Sequence, residues 1–107
     1  MTLTLDDQFG RLAVQLRQTI SLLEATEDPF WITFLRRGLT QVDRHRLSGA
    51  TFVLGCYGGE NTFSDVTIAG QFEHSDPLQY RNANARLKVL RNDMFETANA
   101  IASRRHW

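Results

Sequence analysis

Side chains that could act as nucleophile, proton carrier or metal ligand are sparse in this chain and poorly spaced for joint chemistry. Cys56 is the one cysteine, and His45, His74 and His106 lie far apart in the sequence. A thiol attacks as its thiolate and needs a base or a positive charge beside it. Here a Cys–His pair could arise only through folding, and Cys56 reads better as a small buried filler. The histidines lack metal-binding spacing, and no helix carries the paired acids that hold divalent ions. Gly58-Gly59 is not followed by the lysine of a phosphate loop. These residues imply no enzyme, no cofactor and no metal.

Charge is more informative than chemistry. The net charge is zero, yet from Leu47 to Tyr80 there are four acids, Glu60, Asp65, Glu73 and Asp76, and no lysine or arginine. Basic residues flank this stretch: Arg36, Arg37, Arg44 and Arg46 before it, and Arg81, Arg86, Lys88, Arg91, Arg104 and Arg105 after it. Such asymmetry steers partners more than it shapes folds. Arg36, Arg37, Arg44, His45 and Arg46 could form a basic helix end for nucleic acid. The neutral total and the acidic middle argue against that, because they would repel phosphate. A solvated, salt-bridged face is the simpler expectation.

The centre of the acidic stretch runs Tyr57-Gly58-Gly59-Glu60-Asn61-Thr62-Phe63-Ser64-Asp65-Val66-Thr67-Ile68. Glycine tolerates positive φ and close backbone approach. The segment therefore reads either as a tight turn over the bundle's end, with Asp65 bonding local N–H groups, or as a protruding acidic loop. On the second reading Tyr57, Glu60 and Asn61 stand at the tip. Gly58, Gly59, Thr62, Phe63, Asp65, Val66 and Ile68 also resemble the mark of a bacterial family of unknown function. That mark is a Gly-Gly pair, two residues, Ser or Thr, an apolar residue, then Asn-Asp and apolar residues. Trp31 and a final helix with Leu90, Phe95 and Ala98 fit the same frame. Glu60-Asn61 replaces the family's usual Met-Gly, and Ser64 its Asn. Relatives occur beside polymorphic toxins, so the resemblance implies an immunity protein that binds a cognate toxin. The expected partner-binding set is Tyr57, Glu60, Asn61, Asp65 and Glu73, with Gly58, Gly59 and Asp65 shaping the loop. The alternative is a small regulatory domain that binds DNA or another host protein.

The elements that must position this loop are helices. Thr4 with Asp7 predicts a capping box, followed by Leu5, Phe9, Leu12, Leu16, Ile20 and Leu23 at helical spacing. Asp28-Pro29 and Asp76-Pro77 each read as N-cap and first helical residue. After Pro29, Trp31, Phe34, Leu35, Gly38 and Val42 share a face. After Pro77, Tyr80, Ala83, Leu87, Leu90, Met94, Thr97 and Ile101 form a coiled-coil-like seam, with Arg104, Arg105 and His106 complementing the C-terminal dipole. Leu47 to Leu54 fits a short helix ended by Gly55, and residues 51–57 could instead hold a buried strand. Phe63 to Ile68 predicts one short extended segment.

At 107 residues the chain has room for one domain, 1–107, able to bury roughly two thirds of its unfolded surface. The expected architecture is a mostly-α, up-and-down bundle of about four helices with one Gly-rich acidic loop. No run approaches the ~20 apolar residues of a membrane span, and the first apolar stretch is broken by Asp6, Asp7, Arg11 and Arg17. A reducing cytoplasm is the expected compartment. Trp107 reads either as a frayed end or as a small apolar dock, so a homodimer stays open.

Overall fold

The computed structural model describes residues 3–57, 63 and 66–104. Four α-helices follow one another: α1 (Leu5–Ala25), α2 (Pro29–Asp43), α3 (Leu47–Gly55) and α4 (Pro77–Ala102). Each of α1 and α3 packs against both α2 and α4, which closes the bundle. The architecture is the mostly-α, up-and-down bundle that the periodicity predicts, and among the described residues there is no strand.

The start of α1 is fixed as its sequence suggests. The Asp7 N–H donates to Thr4 Oγ1 at 3.0 Å and the Thr4 N–H donates to Asp7 Oδ2 at 3.2 Å, so two otherwise unpaired donors are satisfied reciprocally. Phe9, Leu12, Leu16 and Leu23 then point into the core with no exposed surface. At the other wall, Leu87, Leu90, Met94, Thr97 and Ile101 of α4 are buried as the seam requires.

Both α1 and α2 end in a left-handed residue that is not glycine. Glu27 (φ 57°) and His45 (φ 53°) each follow a helix whose last carbonyls are closed by a pair of bonds. Asp28 N–H reaches Leu23 O and Arg46 N–H reaches Gln41 O, one turn and a residue back. A left-handed non-glycine costs on the order of 1 kcal/mol. At His45 that cost is offset by contacts: its ring stacks on Phe9 at 5.1 Å and Nδ1 lies 2.8 Å from Asp6 Oδ1.

The ambiguous stretch is a helix, α3. It lies so close to α2 that a Cβ on Gly49 would stand 2.7 Å from the Val42 nitrogen, and one on Gly38 would stand 3.0 Å from Phe52. A lone strand would leave its N–H and C=O groups unpaired, whereas a helix pairs them internally. Two glycines then let it dock.

Three local expectations are corrected. Asp76 caps α4 by accepting from the Gln79 N–H at 3.2 Å, but Asp28 occupies the N-cap position of α2 without any side-chain cap bond. Its backbone already closes α1, which fixes its direction. The segment expected to be extended from Phe63 to Ile68 begins instead with Phe63 in a 3-10 turn, residues 66–69 belong to no helix or strand, and residues 64 and 65 lie outside the described residues. Arg104 does not complement the dipole of α4. It reaches across to α1, donating to Gln8 Oε1 at 2.6 Å and to Leu3 O at 3.0 Å. Arg105 and His106 lie outside the described residues.

Candidate binding site

α3 has nine residues and α4 twenty-six, so α3 can wall only part of the groove. The chain between them completes it: Phe63, Ile68 and Ala69 are buried there. Without a partner strand, this segment needs other groups to pair its backbone. α4 supplies them from two side chains seven residues apart. Asn84 accepts from the Ile68 N–H and donates to the Ile68 carbonyl, both at 2.8 Å, as a neighbouring strand would. Arg91 donates to the carbonyls of Phe63 at 3.2 Å and Val66 at 3.1 Å.

Tyr57 is the third part of this clamp. Its hydroxyl donates to the Arg91 carbonyl at 2.6 Å. The residue is half-buried at the root of the loop and not at its tip, because its ring packs edge-on to Phe63 at 5.8 Å and to Phe95 at 5.1 Å. Burial first, then the neighbouring Cys56, push the Tyr57 phenol well above its ordinary pKa, while Arg91 pulls the other way. Cys56 itself is buried and its thiol is pushed up to about 11 by desolvation. At neutral pH such a thiol is protonated and a weak nucleophile.

The rings continue past Phe63 to Trp31 at 5.1 Å, then through Phe34 to Phe52 of α3, with Phe30 against both Trp31 and Phe34. An aromatic belt therefore crosses the bundle from α2 to α4. Its two ends emerge: Phe95 is 42% exposed and Phe30 is 61% exposed. Exposed aromatics on a rigid support are the usual anchors of protein interfaces.

Glu73 is exposed just after the 3-10 turn Gly70–Phe72, near the start of α4. Tyr57 bonds Arg91, fourteen residues further along that helix, which is about 21 Å at 1.5 Å per residue. These two residues of the expected set are thus not brought together. Gly58, Gly59, Glu60, Asn61 and Asp65 lie outside the described residues.

Asn84 and Arg91 escaped the sequence reading. Tyr80, Asn84, Leu87, Arg91, Met94, Ala98 and Ile101 alternate steps of four and three, a line parallel to the apolar seam. Two polar residues seven apart in such a line are a signal for side chains that staple an irregular neighbour.

The basic residues on and around α2 are partly neutralised. Arg36 pairs with Glu24 at 2.6 Å and Arg17 with Asp43 at 2.7 Å, all well exposed, so each pair is worth about 0–1 kcal/mol. Arg37, Arg44 and Arg46 have no carboxylate partner among the described residues. A cavity of about 140 Å³ between α1 and α4, lined by residues including Arg11, Glu96 and Thr97, is smaller than the ~300–1,000 Å³ of small-molecule sites. Among the described residues no cluster of acids, histidines or cysteines could hold a metal ion. No described helix is long and apolar enough to cross a membrane. Comparison with known protein families, characterised proteins and solved structures gave no match.

Proposed function

We propose that this protein is an immunity protein that binds and neutralises a cognate bacterial toxin in the cytoplasm, by stoichiometric occlusion of the toxin's working surface. The observation that carries this reading is the clamp. The loop bearing the Gly-Gly motif leaves and re-enters the fold at residues pinned to α4 by Tyr57, Asn84 and Arg91. Phe95 emerges beside Tyr57. An interface loop held at both ends binds with less loss of conformational entropy than a free one. Glu60 and Asp65 carry the negative charge of that stretch of sequence, and a basic cleft that accepts nucleotides or nucleic acid is the natural target for it. Co-expression tests this directly. A toxin encoded beside this gene should co-purify with the protein in a fixed ratio, and failure to bind would reject the reading.

The alternative, a regulatory domain that binds DNA or another host protein, is favoured only by Arg37, Arg44 and Arg46, which have no carboxylate partner among the described residues. A binder that neutralises several phosphates loses affinity steeply with salt. Sub-micromolar, steeply salt-dependent binding to random duplex DNA would favour it over immunity.

A further inference from the structure

The outward ridge of α2 and the turn before it hold three groups whose contacts within the chain are incomplete. Asp28 stands at the N-cap without a cap bond, and neither it nor Glu27 makes an ion pair or side-chain hydrogen bond among the described residues. Phe30 is 61% exposed although its inner edge rests on Trp31 and Phe34. Arg37, two helical turns after Phe30 and on the same ridge, has no carboxylate partner among the described residues, whereas its neighbour Arg36 is held by Glu24. Along the chain the order is acid, aromatic, cation. Thr33 lies midway, a small residue whose hydroxyl is already satisfied by the Pro29 carbonyl.

We infer that α2 pairs antiparallel with α2 of a second copy, across a two-fold axis passing close to Thr33. A two-fold contact requires a surface complementary to itself. This order meets that condition: reversal sets Glu27 and Asp28 of one copy opposite Arg37 of the other, twice, and brings Phe30 beside Phe34. Thr33 at the crossing lets the helices approach. A nucleic-acid strand laid along the same ridge would meet Glu27 and Asp28 beyond Phe30 and be repelled, so a protein surface of matching polarity fits better. α2 has 15 residues, which limits the contact to the small, transient size class, below about 1,200 Å² in total. The dimer is therefore weak and salt-sensitive. It leaves Phe95 and the α4 side of the loop free, so it stands independently of the proposed function.

Sedimentation equilibrium from ~10 µM to ~1 mM protein, at low and high salt, tests it. The expected result is a monomer–dimer equilibrium weakened by salt. Phe30→Ser and Arg37→Glu should each weaken association about tenfold or more, since a two-fold contact feels every change twice. Adding Glu27→Arg and Asp28→Arg to Arg37→Glu should restore it to within about threefold of wild type. Circular dichroism confirms that each variant is folded. A wild type that stays monomeric throughout overturns the inference. So does a dimer indifferent to Phe30→Ser and Arg37→Glu, or an Arg37→Glu defect that the charge swap fails to rescue.

Discussion

The long helices and the segment between α3 and α4 are held by different physics. α1 and α4 present apolar side chains at steps of three and four, and each pairs its own backbone. Their stability comes from burial. Between Cys56 and Asp76 the described residues hold no α-helix or strand, only 3-10 turns at Phe63 and at Gly70–Phe72, so α4 pairs backbone there from outside through Asn84 and Arg91. The first region resists change because it is packed. The described part of the second is placed where its anchors put it.

The contrast sets the scale of perturbation. Leu90 is 2% exposed in the centre of the α4 seam, and Leu90→Ala should destabilise by about 2–5 kcal/mol, read by chemical denaturation. A midpoint unchanged from wild type would break the packing side of the comparison. Gly49→Ala should cost about 1–3 kcal/mol, because its Cβ would meet backbone of α2 that cannot swing aside. Arg91→Met comes next. It keeps the aliphatic stem but leaves the Phe63 and Val66 carbonyls short of a donor, at about 1–3 kcal/mol if they stay buried and less if water reaches them. Hydrogen exchange should rise around the Phe63 to Ile68 segment and stay unchanged in α1. Equal changes in both would mean that the clamp is part of the global core.

The smallest effects separate the two Asp-Pro starts. Asp76→Ala removes a real cap and should cost about 0.5–2 kcal/mol. Asp28→Ala removes no cap bond and should cost less than half as much. Alkaline titration sharpens the segment's role further. The Cys56 thiol ionises near 9.0 when free but at about 11 in the fold, and burial raises Tyr57 as well. Both groups thus favour the folded state fully below pH 9. The Cys56 contribution should fade as pH climbs from 9 toward 11 and that of Tyr57 from 10 upward, because the unfolded chain releases those protons first.

The sequence made the helices plain where burial and capping are local properties. The Phe9 to Leu23 stripe, the Thr4–Asp7 box and the Leu87 to Ile101 seam each repeat a short-range rule. What it concealed depended on distant partners. Nothing near Asp28 indicates that its backbone closes α1, and nothing near Tyr57 indicates that its hydroxyl finds Arg91, 34 residues on. Nothing near Gly49 indicates that the backbone of α2 lies against it. Arg104 looked like a dipole partner, and its true acceptors lie at the start of the chain.

The central proposal is that the acidic stretch around Glu60, and not the basic face of α2, meets a toxin. A protection assay in cells making the toxin, with Glu60→Arg and Arg36→Glu side by side, tests it most directly. Glu60→Arg should lose protection and weaken binding several-fold or more, by setting like charge against a basic cleft, while the melting temperature stays nearly unchanged. Arg36→Glu should still protect, since it disturbs only an exposed ion pair with Glu24. Full protection by Glu60→Arg together with lost protection by Arg36→Glu would contradict the account and move the partner to α2.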